Sequence, residues 1–240
     1  MSVAEPKTVP FDPQGLEAAS VRVDRAAAEY VRRIAPITFR LAVSETELRA
    51  AFRLRYEAVI DQGWGRPAEF PDGIEREIAD DKAVHLVGWS ESRPVTNCRL
   101  ILPRGGSLLP IEKAFDLRVE PCGQVAQIDR VCISRDMGGR SVALMWTLLS
   151  AAWLELRSRG FSVVVGLNSV AMTRLYEHIG LGCEVLAPAR SWWSEERYPV
   201  RFSALDVGPR YFDFLGDFEG APGDAVSRSS GPRSTQGREG

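Results

Sequence analysis

From residue 16 onward, hydrophobic and polar positions alternate between helical and strand periods. LEAASVRVDRAAAEYVRRIA, 16–35, consists of strong helix formers with basic residues near its end, which predicts a helix behind a proline-rich leader at 1–13. In ITFRLAV, Ile37, Phe39, Leu41 and Val43 share one face at strand period. Ser44 and Glu47 form a capping box that opens ELRAAFRLRYEAVID as a helix. AVHLVGW, 83–89, and VTNCRLILP, 95–103, flank ESR and Pro94 and read as an antiparallel hairpin. VAQIDRVCIS, 125–134, is the next strand. From Val142 to Leu156 apolar residues cover nearly the whole helical surface, which predicts a helix buried on most sides and stopped at Gly160. FSVVVGL, 161–167, is the continuous apolar run of a parallel or central strand. Asn168 is placed to cap a short helix, VAMTRLYEHI, ended by Gly180; LGCEVLA and RYPVRFSALDV supply two last strands.

Two polar stretches interrupt this order. Residues 62–82, QGWGRPAEFPDGIEREIADDK, form a long acidic loop, and loops of this length are more often functional than mere connectors. Residues 104–123 are irregular apart from IEKAFDL, one or two helical turns. Strands and helices mix around one sheet, with a strand–helix–strand unit at 125–167. The expected organisation is a leader and helix at 1–35, one α/β domain at 36–208, and a disordered tail at 216–240, where Gly, Ser, Pro and Arg dominate.

Composition narrows the chemistry. The chain of 240 residues is long enough to bury a core, and its net charge of −2 gives no reason to expect a nucleic-acid partner. No apolar run reaches bilayer length, and the first residues lack the apolar core of a signal peptide. Cys98, Cys122, Cys132 and Cys183 have no metal-binding spacing; a reduced, cytoplasmic protein without a metal is the expectation. With only His85 and His178, Ser–His or Cys–His catalysis has little material.

The segment RDMGGR, 135–140, lies between a strand and a helix. It has two readings: a bland turn, or an anion site in which Gly138 and Gly139 admit a ligand to the backbone while Arg135 and Arg140 add positive charge. Together with VVVGLN and NSVAMTRLYEHIGL it resembles the GNAT acyltransferase superfamily. That superfamily carries Arg/Gln-x-x-Gly-x-Gly/Ala after its fourth strand; Arg135 and Gly138 match, and Arg140 stands where a small residue is usual. Asn168, Ala171, Leu175, Tyr176 and Gly180 match a second element. The upstream half resembles acyl-homoserine-lactone synthases and N-acyl amino acid synthases through Arg55, Trp64, Glu75, Glu77, Asp80 and Arg99, with Glu77 replacing an aspartate. Their Glu-x-x-Arg falls on Gln127 and Arg130, an amide in place of the carboxylate.

The resemblance covers about 50–205 and implies a GNAT fold, a central mixed, mostly antiparallel sheet flanked by helices. It implies an N-acyltransferase that moves a fatty acyl group from acyl-carrier protein or acyl-CoA to the amine of an amino acid or its lactone, as in quorum-sensing signal synthesis. No cofactor would be bound permanently; the acyl-phosphopantetheine or acyl-CoA donor is itself a substrate. Arg130, Cys132, Ser134, Arg135, Gly138, Gly139, Arg140 and Asn168 would meet the donor, and Arg55, Trp64, Glu75, Glu77, Asp80 and Arg99 the amine. Tyr176 would protonate the leaving thiolate, or it is a core tyrosine. Gln127 cannot act as a base; Asp129, on the same strand face, takes over that work or simply pairs with an arginine. Trp192 and Trp193 line a pocket or cap the core. A GNAT acetyltransferase for another small amine and a catalytically inactive GNAT-fold binding protein are the alternatives. Acyl chain length, amine identity and oligomeric state are not encoded in these motifs.

Overall fold

The Ser44 hydroxyl accepts the Glu47 N–H at 3.2 Å and the Glu47 carboxylate accepts the Ser44 N–H at 3.1 Å, so the capping box fixes where the first helix of the sheet domain begins. The computed structural model describes residues 13–193 and 195–217. The leader expected before Pro13 and the tail expected after Asp217 lie outside the described residues.

Along the chain come α1 (Pro13–Arg32), β1 (Thr38–Leu41), α2 (Glu45–Asp61), β2 (Val84–Ser90), β3 (Arg93–Ile101), α3 (Pro110–Phe115), β4 (Val125–Ile133), α4 (Ser141–Ser158), β5 (Val163–Ser169), α5 (Val170–Ile179), β6 (Glu184–Val185), β7 (Arg190–Trp192), β8 (Glu195–Ser203) and α6 (Pro209–Asp217). Among the described residues the strands form one sheet in the order β1-β2-β3-β4-β5-β8-β6, with β7 on β8. Only β4 and β5 run parallel; every other pairing is antiparallel. This is the mixed, mostly antiparallel sheet expected from the sequence.

Two irregularities interrupt β4, one on each edge. The β4–β5 ladder joins Val125–Gln127 to Val163–Val165 and then ends, while β5 continues along β8 as far as Ser169. The strands part beyond Gln127. At the parting point Gly166 lies so close to β4 that a Cβ there would sit 3.1 Å from the Ile128 carbonyl oxygen. On the other edge of β4, Asn97 pairs with Cys132 and Arg99 with Asp129, so Arg130 and Val131 together oppose Cys98. This bulge holds Arg130 at φ 52°, a left-handed conformation uncommon outside glycine. The Asn97 side-chain amide donates to the Arg130 carbonyl at 3.3 Å across the bulge.

α4 supplies the centre of the core through Trp146, Leu148 and Leu156. α1 packs on it with Leu16, Ala19, Val23 and Tyr30 in the same apolar cluster as Trp146. Asp24 of α1 accepts from Trp153 Nε1 at 2.7 Å and Arg157 Nε at 3.3 Å. α6 adds Tyr211 and Leu215 to this cluster; it is an element the sequence reading lacked, and its last residues, Gly216 and Asp217, are helical rather than the start of a tail. Asn168 is not the cap of α5. It remains in β5, and Ser169 caps the helix by accepting the Met172 N–H at 3.3 Å. The region expected to hold two final strands is divided into β6, β7 and β8. Among the described residues no helix is long and apolar enough to cross a membrane.

Candidate active site

Arg55 on α2 and Arg99 on β3 are 2 % and 1 % exposed, and a buried guanidinium requires carboxylate partners. The acidic loop after α2 folds back to supply them. Arg55 bonds Glu75 and grips Asp80 through Nη1–Oδ1 at 2.7 Å and Nη2–Oδ2 at 3.1 Å. Arg99 Nη1 reaches the same Asp80 Oδ1 at 3.1 Å and Glu77 at 2.6 Å. Asp80 also accepts the Glu77 backbone N–H at 2.7 Å, which pins the loop to its own side chain. Burial alone would raise the Asp80 pKa, but the Arg55 hydrogen bonds and charge, the Glu77 N–H and Arg99 outweigh it, and the net shift is downward. Burial likewise opposes the charge on both arginines, and their carboxylate partners override it and raise both pKa values.

The network continues onto β4. Arg99 Nε and Nη2 grip Asp129 Oδ1 and Oδ2, both at 2.7 Å. Gln127 donates Nε2 to Asp129 Oδ2 at 2.8 Å while its Oε1 accepts the Ile111 N–H of α3 at 3.0 Å. An ionised glutamate at 127 would meet Asp129 with no proton between them; the amide supplies one. Arg130, turned by the bulge, closes the ring with Nε 3.2 Å from Glu75 Oε1 and Nη2 3.0 Å from Glu77 Oε2.

Beyond Asp129, the parted strands open into a cavity of about 350 Å³. Its partly exposed lining residues, Asp129, Arg130, Trp64 and Trp193, form its mouth, and the buried Val23, Trp146, Tyr176 and Tyr211 line its interior. Cation–π contacts order the mouth: the Arg130 guanidinium lies 4.6 Å from the Trp193 ring centroid and that of Arg197 lies 5.0 Å from Trp64. Trp64 donates its indole N–H to Glu195 at 3.0 Å and packs on Trp193 at 5.5 Å between centroids. Asn168 lines the cavity, and its Nδ2 has no hydrogen-bond partner among the described residues. Tyr176 packs edge-on against Trp146 and Phe202, and burial raises its phenol pKa.

The turn before α4 stands outside the charged network. Gly138 has φ 48° and ψ −125°, and a Cβ at either Gly138 or Gly139 would meet nothing within 4 Å, so the backbone is open to an approaching group. Arg135 is an exposed side chain 3.3 Å from Asp61, and the Ser134 hydroxyl bonds Asp136. Arg140 Nε is buried without a partner among the described residues. The Cys132 thiol, beside Arg55 and Glu75, is pushed up to about 12, chiefly by burial, and stays a thiol.

Of the residues singled out in the sequence, Arg55, Glu75, Glu77, Asp80, Arg99, Gln127, Asp129 and Arg130 form one continuous network, with Trp64 at the cavity mouth and Asn168 and Tyr176 in its wall. Glu195 and Arg197, which hold Trp64, escaped sequence reasoning because nothing in SEERYPV sets them apart from an ordinary charged strand. His85 is buried beside Asp80, its Nε2 3.5 Å from the Asp80 carbonyl oxygen and its ring edge-on to Phe52 at 5.1 Å. A lone histidine in an apolar strand carries no signal of such a position.

No protein-family model and no curated protein matches the chain. Solved structures do. BjaI, a CoA-dependent acyl-homoserine lactone synthase with SAM and isopentyl-CoA, matches with a TM-score of 0.58 and 20% identity over 73% of this chain and 82% of that one. The acyl-homoserine lactone synthase LasI matches with a TM-score of 0.57 and 14% identity over 70% and 90%. FeeM, an N-acyl amino acid synthase from uncultured soil microbes, matches with a TM-score of 0.52 and 14% identity over 70% and 91%. The likeness at these identities is one of fold: the chain has the GNAT-type acyltransferase architecture that these synthases share.

Proposed function

We propose that the protein is an N-acyltransferase that moves a fatty acyl group from an acyl-CoA or acyl-carrier-protein thioester to the amine of an amino acid or amino-acid lactone. The observation that carries this reading is the opening between β4 and β5 onto a largely apolar cavity of about 350 Å³, with Asp129 and Arg130 of the charged network at its mouth. Such a cavity accepts a long acyl chain, and its volume is far more than an acetyl group needs, which favours fatty acyl transfer over acetyl transfer.

In this mechanism the thioester lies between the parted strands with its acyl tail in the cavity. The donor arm runs past Cys132, Ser134 and Asn168 toward the turn at Arg135–Arg140, where Gly138, Gly139 and the start of α4 offer backbone N–H groups to phosphate. The amine substrate meets Trp64 and the network. There the carboxylates of Glu75, Glu77, Asp80 and Asp129 face the guanidinium groups of Arg55, Arg99 and Arg130, four negative charges against three positive, a balance suited to an ammonium group. Asp129, with Gln127 and Arg99 fixing its orientation, accepts the ammonium proton directly or through water. The freed nitrogen attacks the thioester carbon, and N–H groups of β4 on its unpaired edge stabilise the oxyanion. The C–S bond then breaks, and the thiolate takes its proton from Tyr176, whose side chain lines the same cavity and is reprotonated from solvent. The products are an amide and a thiol.

One observation favours a second reading, a GNAT-fold protein that binds acyl donors without turning them over: Arg99 and Gln127 already occupy the Asp129 carboxylate. Incubation with acyl-CoAs or acyl-carrier proteins and amine acceptors, followed by mass spectrometry, decides between them. The product mass identifies the amine and shows whether it is a signal-type acyl lactone. Absence of an acylated product with every donor removes the proposal.

A further inference from the structure

Asparagine is a poor strand former, yet Asn97 lies fully buried in the middle of β3 among Val95, Cys98 and Leu100. Burying an amide is costly unless a hydrogen bond compensates. Here Nδ2 donates to the Arg130 carbonyl at 3.3 Å, while Oδ1 has no partner among the described residues. The bond spans the β4 bulge, which leaves Arg130 and Val131 outside the pairs joining Asn97 to Cys132 and Arg99 to Asp129. That position matters because consecutive strand residues point to opposite faces. Ile128 packs on the apolar cluster of Leu148 and Leu156, and Asp129 faces the charged network. Regular alternation would send Arg130 after Ile128, into that apolar cluster. The left-handed backbone at Arg130 instead returns its guanidinium to Glu75 and Glu77 and onto the Trp193 ring.

We infer that Asn97 is a positioning residue: its bond across the bulge holds Arg130 on the network side, and through Arg130 it sets the pH at which acyl transfer begins. The effect on transfer rests on the proposed function; the link between Asn97 and Arg130 does not. The charged groups of the network are Glu75, Glu77 and Asp80 of the loop after α2, Arg55 of α2, Arg99 of β3, and Asp129 and Arg130 of β4. Arg197 of β8, also at the cavity, is paired with Glu195. With Arg130 displaced, the four network carboxylates face two guanidinium groups rather than three. The substrate ammonium and Asp129 both then hold their protons to higher pH, so the sign is the same whichever of them limits the reaction.

The test joins a crystal structure of full-length Asn97→Ala to pH profiles of kcat. Arg130 should leave Glu75 and Glu77 in this variant, and the rising limb of the profile should move up by about one pH unit, as in Arg130→Ala. In the double variant the limb should lie where Arg130→Ala alone puts it, since a residue acting through another adds nothing once that other is gone. Asn97→Ser, the milder change, carries the same test should the alanine variant not fold. The inference is overturned if Arg130 keeps its partners, or if the two substitutions shift the profile additively. It is also overturned if the profile loses height without moving, the mark of a merely structural role, or if neither Asn97 variant folds. Should wild type transfer no acyl group from any donor, the proposed function falls and the position of Arg130 in the crystals alone decides its link to Asn97. An active Asn97→Ala with an unmoved profile does the reverse.

Discussion

Replacing Asp80 with asparagine keeps the shape of the side chain and removes the charge that three chain segments share. Asp80 is fully buried and takes hydrogen bonds from both Nη atoms of Arg55, from Arg99 and from the Glu77 backbone. The substituted amide would also turn N–H groups toward guanidinium N–H groups. Removing one partner of a buried ion pair typically destabilises by about 3–5 kcal/mol. Arg55 keeps Glu75, and Arg99 keeps Asp129 and Glu77, so the lower end, about 3 kcal/mol, is the figure to expect. In a protein of this size that lowers Tm by roughly 6–12 °C. The pH dependence follows from the direction of the Asp80 shift. A carboxyl whose folded pKa lies below its ordinary 3.8 stabilises the fold above that value, and the contribution is lost as pH falls through the folded pKa. Thermal melts of wild type and Asp80→Asn across pH should show a full gap near neutrality that narrows below 3.8. A variant melting within about 2 °C of wild type at neutral pH, or a gap that persists undiminished into strong acid, refutes the reasoning.

Asp129→Asn should lower kcat by about 10²–10⁴ while thioester affinity stays within a few-fold; undiminished turnover removes Asp129 as the base. Tyr176→Phe should cost roughly a hundredfold in kcat with Tm unchanged, and full activity would leave Tyr176 as a core residue only. Burial, opposed by Asp80 and aided by the Arg55 charge, holds the His85 pKa below its ordinary 6.5, so the unfolded chain protonates first as pH falls and stability declines. In His85→Gln the decline in Tm between about pH 7 and pH 5 should therefore be shallower than in wild type; parallel curves contradict the assignment.

The parts of the fold that local chemistry determines are readable in the chain. The Ser44–Glu47 box, the hairpin around Pro94 and the apolar surface of α4 each announce an element within a few residues of its observed position. The parting of β4 and β5 is not announced, because it depends on where a ladder between distant segments ends; in sequence Gly166 is only a glycine in a strand. α6 was legible in principle, since Pro209 opens a helix whose Tyr211, Phe214 and Leu215 share a face, but the polar run after it hid it. At the site, the arginines and acids point to a network without specifying who pairs with whom. That Arg99 takes both oxygens of Asp129, and that Gln127 serves as a donor to the same carboxylate, are properties of strand register and of the bulge at Arg130.

The cavity divides its construction between unrelated parts of the chain. Asp129 and Arg130 of β4 and Trp64 of the loop after α2 form its mouth, whereas the buried Val23 and Ala27 of α1 and Tyr211 of α6 line its interior. In the proposed acyltransferase the two helices nearest the ends of the described chain thus act as a ruler for the acyl chain. A bulkier residue at Ala27 or a smaller one at Tyr211 resets the ruler without touching Asp129, Arg130 or their partners.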